Sequence, residues 1–256
     1  IGSTLVVNAA PDGYTLLLAR PGSQSIMPAI QPTRTKYRWD DFTPVGLLEL
    51  NPYGCMVKAS SPWRNFAEFA AGLRERGRKL NFGTAGVLTT NDLGPRLLFR
   101  LLKLGDQAPT QVAYKGTGEA TTALMGGEID FACGSIGTFF NLIRNGDLRA
   151  VFVTTPERLA GLPDVPTARE IGLPDMERMI GWSGIFGPAR LPADIVAKLA
   201  QAMKAVAADP GWKKATEQNG SIPYVKSPEE TREFARAQYE TYREIGESLG
   251  LIDKPM

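Results

Sequence analysis

The sequence predicts an α/β fold built mainly on parallel strands, and three observations carry that expectation. Short apolar runs alternate with helical patterns along the chain. Turns rich in glycine and hydroxyl residues follow several of those runs. The run at residues 42–57 (FTPVGLLELNPYGCMV) is long for one strand and is broken by Pro52 and Gly54, as a strand crossing between two lobes would be. The clearest single unit is 112–137, VAYKGTGEATTALMGGEIDFACGSIG. An extended Val-Ala-Tyr leads into the turn Lys115-Gly116-Thr117-Gly118, then helix formers 119–125 stopped by Gly126-Gly127. A second apolar run, 129–133, meets a second small-residue turn, Gly134-Ser135-Ile136-Gly137. This is one βαβ unit, and in such sheets ligands bind beyond the carboxyl ends of the strands.

The remaining elements follow in order. Residues 1–7 read as the tail of a helix, with no signal peptide and no initiating methionine, and 8–13 as a turn. Residues 14–19 (YTLLLA) read as a fully apolar buried strand. A polar turn containing Ser23 and Gln24 leads to a short apolar segment, 26–30. Ser61-Pro62 reads as the start of a helix reaching Arg76. A strand at 79–84, a hydroxyl-rich turn at 85–92 (AGVLTTND) and a helix at 93–104 come before the central unit. A helix at 139–144 and a strand at 148–154 come after it. Residues 156–174 form a proline-punctuated connection, and 180–186 (IGWSGIF) reads as the return crossing. Two long helices, 192–208 and 227–249, finish the chain, the second opened by the capping box Ser227-Pro228-Glu229-Glu230.

Composition excludes several functions. Net charge is +2 with both signs mixed along the chain, so nothing favours nucleic acid or a membrane surface. No apolar run approaches the roughly 20 residues of a transmembrane helix. With His 0, no Ser-His-Asp or Cys-His site and no imidazole-ligated zinc can form within the chain. Lys115-Gly116-Thr117-Gly118 is neither a phosphate loop nor a dinucleotide fingerprint. Cys55 and Cys133 each sit in an apolar run and read first as buried small hydrophobes, with a disulfide between them as the alternative.

Four stretches, in this order, resemble the Bug, or tripartite tricarboxylate transporter, family of extracytoplasmic solute-binding proteins. They are Ala10-Pro11-Asp12-Gly13-Tyr14-Thr15-Leu16-Leu17; Asp41-Phe42-Thr43-Pro44-Val45; Tyr114-Lys115-Gly116-Thr117-Gly118 with Leu124-Met125-Gly126-Gly127-Glu128-Ile129-Asp130; and Leu162-Pro163-Asp164-Val165-Pro166-Thr167. The resemblance implies a two-lobed, periplasmic-binding-protein-like fold of the type II Venus-flytrap kind, lacking the N-terminal strand–helix–strand of the first lobe. The first lobe would comprise 1–49 and 176–256, the second 50–175. It further implies a monomeric periplasmic receptor that is not an enzyme and has no cofactor. Such a receptor captures a small organic anion, often a carboxylate, in an interlobe cleft and delivers it to integral-membrane transporter subunits. Gly134 stands where the family often has an aspartate, which weighs against an amine-bearing ligand.

The ligand-binding residues expected on these grounds are Ser23, Gln24, Gly86, Thr89, Thr90, Gly134, Ser135, Thr138 and Trp182. The hydroxyls and the amide would orient a carboxylate by neutral hydrogen bonds, and helix N-termini would supply positive potential. The structural alternatives are capping for the hydroxyls, with Ser23 and Gln24 capping 26–30, and core packing for Trp182. Lys115 reads as a solvated turn residue rather than a carboxylate clamp. Two other functions remain open to the sequence: an α/β enzyme acting on a small acid, and a ligand sensor feeding a signalling partner.

Overall fold

The computed structural model describes residues 1–253. Its contacts divide the chain into two units. One comprises Ile1–Leu50, Trp182–Glu217 and the chain from Ile222 onward; the other comprises Asn51–Gly181 with Gln218–Ser221. The expected boundaries at 49/50 and 175/176 thus become 50/51 and 181/182, and the excursion at 218–221 joins the second unit.

In the first unit, α1 (Gly2–Val7), β1 (Leu17–Ala19), a π-helical turn (Gly22–Ile26), α2 (Met27–Ile30) and β2 (Phe42–Asn51) come from the N-terminal segment. The second unit supplies β3 (Tyr53–Lys58), α3 (Phe66–Arg76), β4 (Asn81–Thr84), α4 (Thr90–Leu101), β5 (Thr110–Ala113) and α5 (Thr117–Gly126). It continues with β6 (Phe131–Ser135), α6 (Ile136–Arg144) and β7 (Leu148–Val153). The chain then follows β8 (Gly181–Pro188), α7 (Ala193–Ala208), α8 (Pro210–Gln218), β9 (Ile222–Lys226) and α9 (Pro228–Ser248).

The sheet of the first unit has the order β1-β8-β2-β9, and both β1 on β8 and β2 on β9 are antiparallel. Its core gathers Val6, Ala19, Phe42, Leu47, Trp182, Phe186 and Ala235. The strand expected at 14–19 shrinks to three residues at the sheet edge. Asp12 Oδ1 accepts from the Tyr14 N–H at 3.0 Å, a local turn that leaves Tyr14 92% exposed. Helix α8 and strand β9 occupy what reads in sequence as the connection between two long helices. Every residue of β9 is only half-buried, so the apolar alternation that would reveal it is weak. The capping box at Ser227 forms as expected.

The second unit has the order β5-β4-β6-β3-β7. Strand β4 pairs parallel with β5 and β6, while β3 runs antiparallel to β6 and β7. The expected parallel character therefore holds for β5-β4-β6 and fails at β3, which enters straight from β2 with no crossover helix. The βαβ unit folds as read, but β4 lies between its two strands. Cys55 and Cys133 face each other in the β3–β6 register with Cα atoms 4.0 Å apart and are joined by a disulfide. Both are buried, as first read, but the alternative reading of a disulfide is the one that forms: two facing residues in an antiparallel pair are close enough to bridge, whatever their sequence separation. Helix α3 starts four residues later than expected. Its cap is Asn65, whose side chain accepts from the Glu68 N–H at 2.9 Å, not Ser61. The intervening Trp63 is buried and packs edge-on against Phe69, which keeps that stretch out of the helix. Among the described residues, no helix is long and apolar enough to cross a membrane.

Candidate functional site

The second unit concentrates the expected residues at one end of its sheet. Strands β4, β5 and β6 are neighbours running the same way, and each passes at its carboxyl end into a helix, α4, α5 or α6. The three N-caps are Thr89, Gly116 and Ser135, and none makes a side-chain capping bond. Three helix N-termini therefore share one end of the sheet with first-turn N–H groups that no cap side chain satisfies. Backbone donors and aligned peptide dipoles make such a place favourable for an anion without any cationic side chain. One of these groups is already used: the Ile136 N–H donates to the Pro52 carbonyl at 2.7 Å.

The turn before α4 is held in shape by a buried carboxylate. Gly86 has φ +113° and Leu88 has φ 57°, the latter in a region that leucine seldom adopts. Asp92, 1% exposed, accepts from the Leu88 N–H at 2.9 Å and from Arg96 Nε at 2.6 Å. Arg96 donates on to Gln111 Oε1 at 2.9 Å, and Gln111 Nε2 to Thr84 Oγ1 at 2.9 Å. Asp92, which in sequence closes the turn 85–92, thus ties that turn to the sheet beneath it. Thr89 Oγ1 donates to the Gly86 carbonyl at 2.9 Å, which leaves its lone pairs as acceptors.

The turn before α6 meets the turn before α4 through Asn91, which the sequence places in the donor cluster with Gly86, Thr89 and Thr90 but behind the two threonines as a ligand contact. A Cβ on Gly134 would lie 2.7 Å from Asn91 Nδ2, so the Asn91 amide reaches across to the end of β6. Thr90 Oγ1 stands 3.5 Å from Asn91 Oδ1. Gly86, Thr89, Thr90, Asn91 and Gly134 consequently belong to one surface. The signal was the glycine at 134, a gap that a neighbour's side chain can fill. Ser135 is half-buried as the α6 cap, and Thr138 is exposed on the first turn of α6. Lys115 is exposed, and its N–H donates to Glu119 Oε2 at 3.1 Å.

The first unit holds the other three expected residues. Ser23 and Gln24 lie inside the π-helical turn, whose N-cap is Pro21, so neither caps the segment at 26–30. Ser23 Oγ donates to the Arg20 carbonyl at 3.1 Å. Gln24 is 0% exposed, and neither end of its amide has a partner among the described residues. A buried amide with nothing to bond is costly, and π-turns recur at functional positions. Trp182 is fully buried, with its ring edge-on to Phe234 at 5.8 Å and near Phe186. Its ring is part of the apolar core. Among the described residues, no group of three or more His, Cys, Asp or Glu could hold a metal ion.

Comparison with known proteins agrees with this geometry. The family described as "Tripartite tricarboxylate transporter family receptor" matches residues 1–251. A protein of Agrobacterium vitis, described as a UPF0065 protein in the TAR-I ttuE-ttuC' intergenic region, is 37% identical over 210 residues, 82% of this chain and 59% of that protein. The chain thus spans less than two thirds of that relative. MatC from Rhodopseudomonas palustris with bound malate is 31% identical with a TM-score of 0.85, over 96% of this chain and 83% of that one. R. palustris Rpa4515 with adipate is 25% identical with a TM-score of 0.89, over 98% and 82%. The periplasmic binding protein BugD is 26% identical with a TM-score of 0.87, over 98% and 83%. The chain belongs to the tripartite tricarboxylate transporter receptor family.

Proposed function

We propose that the protein is a periplasmic receptor that captures a short dicarboxylate, such as malate or adipate, and delivers it to the integral-membrane components of a tripartite tricarboxylate-type transporter. The observation that carries this reading is the set of three side by side helix N-termini with no side-chain caps. They offer a dianion backbone donors and positive potential while leaving the ligand free to depart, which a charged clamp would oppose. The relatives with bound malate and adipate support the ligand class. A disulfide supports an oxidising compartment.

Within the second unit the ligand contacts are assigned to Gly86, Thr89, Thr90, Asn91, Gly134, Ser135 and Thr138; within the first unit, Ser23 and Gln24 are the residues proposed for ligand recognition. Trp182 is left out because its ring is buried among apolar neighbours. The protein acts as a monomer, without nucleic acid, cofactor or chemical change to the ligand. Titration calorimetry with malate and adipate, beside their uncharged diamides, tests the assignment. Binding of the diacids and not the diamides is expected, with a rise in melting temperature that grows with ligand concentration. No heat and no thermal shift with any diacid would end this reading.

A further inference from the structure

A second feature of the same unit lies at the other end of α6. A cavity of about 590 Å³ opens there between β7, the N-terminus of α3, the C-terminus of α6 and the Leu162-Pro163-Asp164-Val165-Pro166 stretch. Three arginines from three different elements line it: Arg64 before α3, Arg144 in the last turn of α6 and Arg149 on β7. Four other arginines of this unit meet carboxylates, Arg76 with Asp130, Arg96 with Asp92, Arg158 with Glu170 and Arg169 with Glu177, while Arg78 donates to the Asp106 carbonyl. Arg64 is likewise paired, with Glu68.

Arg149 and Arg144 differ. Arg149 is half-buried and spends Nη1 on the Trp63 carbonyl at 3.0 Å, a neutral partner. Arg144 is exposed, with its guanidinium 5.9 Å from the centre of the Phe140 ring. Neither has a carboxylate within salt-bridge distance among the described residues. The α6 dipole accounts for a cation at Arg144 but not for Arg149, which sits on a strand. Asp164 is the one acidic residue of the lining; it is exposed and feels the charge of Arg158. Strand β7 is the outer strand of its sheet, and among the described residues its outer edge is engaged at Val153, by the Pro166 carbonyl and the Ala168 N–H.

We propose that this groove docks an acidic, extended segment of the membrane-embedded transporter component, with Arg144 and Arg149 gripping its carboxylates. The choice of partner rests on the receptor reading above; the choice of an acidic segment rests on the two arginines. A concave site walled by a loop suits a peptide better than a lipid surface, which needs a flat or convex basic face. The groove and the candidate ligand site mark opposite ends of α6, about 13 Å apart for its nine residues. A partner held at one end therefore leaves the other free for the ligand.

The test uses the full chain and a fluorescein-labelled Glu-Val-Glu-Val-Glu peptide, read by anisotropy at low salt. Vesicles of phosphatidylglycerol and inorganic phosphate serve as separate arms. The expected result is peptide binding that weakens at least tenfold in R144E/R149E and less than twofold in K213E/K214E, a reversal of equal charge on the first unit. Amide exchange at Leu148 and Ala150, whose N–H groups face away from β3 in the strand register, should slow with peptide bound. Loss of binding that is equal in both variants, or no binding at all, overturns the proposal. So does vesicle binding that depends on Arg144 and Arg149 without peptide binding, or displacement of the peptide by millimolar phosphate. Calorimetry with malate on R144E/R149E separates the two readings. Retained malate binding leaves the receptor standing whatever the peptide does, and absence of malate binding in the unaltered chain removes the receptor while the peptide result stands alone.

Discussion

Helices α3 and α9 begin under their own side chains, whereas α4, α5 and α6 begin bare. Asn65 and Ser227 accept from the Glu68 and Glu230 amides, and Glu230 returns a bond to the Ser227 N–H at 2.9 Å. Thr89, Gly116 and Ser135 make no such bond, although two of them carry a suitable hydroxyl. A capped helix start is closed to ligands because its donors are spent. An uncapped one gives up that stability and keeps its donors for an incoming anion. Helices α1, α2 and α7 of the first unit also lack a side-chain cap, but α4, α5 and α6 are the bare starts carried together on the adjoining parallel strands β5, β4 and β6. On the proposed reading, capping separates α3 and α9 from the three helices of the candidate site.

The platform under the bare starts should be the most sensitive to change. The disulfide closes a separation of 78 residues, so C55S/C133S should lose about 4 kcal/mol of stability in the second unit, read by urea unfolding with and without reductant. Asp92→Ala comes next. Loss of a buried carboxylate that holds both Arg96 and the Leu88 amide should cost about 2–3 kcal/mol, and malate affinity should fall because the turn at 85–89 relaxes.

Paired cap variants test the division directly. Ser227→Ala should cost about 1 kcal/mol and leave malate affinity unchanged. Thr89→Ala and Ser135→Ala should move stability by less than about 0.5 kcal/mol, since neither side chain caps its helix, and should weaken malate about tenfold. If all three variants behave alike, capping does not distinguish structural from binding helices.

The smallest effect is one of pH. Hydrogen bonds from the Ser227 backbone and hydroxyl, followed by Lys226, hold the Glu230 carboxyl down to about 2 against an ordinary 4.5. A folded-state value below the unfolded one stabilises above the unfolded value and is lost as pH falls through the folded one. The start of α9 should therefore loosen between about pH 4.5 and 2, seen as faster amide exchange at Glu229 and Glu230. Glu230→Gln should flatten that dependence. The starts of α4 and α6 hold no such box and should not follow it.

Local signals were legible wherever one short stretch contained its own reason. The Ser227 box, the glycine stop after α5 and the break at Pro52 all fall where local chemistry puts them. The turns before α4 and α6 were readable too, because hydroxyls and glycines after an apolar run have few other uses. Asn91 stood among those donors but ranked behind Thr89 and Thr90, since only its distance to Gly134 gives it a role of its own. Strand β9 was missed because a strand half-buried on both faces lacks the period that marks one.

Sequence alone determined the alternation of strands and helices, the absence of imidazole chemistry and the family, all of which reside in composition, local propensity and ordered motifs. Tertiary structure alone decided that β3 runs against its neighbours, that Cys55 and Cys133 face each other, that Trp182 is core and that three bare helix starts share one end of a sheet. Each of these depends on which strands pair and in what direction. Pairing between residues far apart in the chain is set by the summed packing of the whole sheet, which no short window of sequence contains.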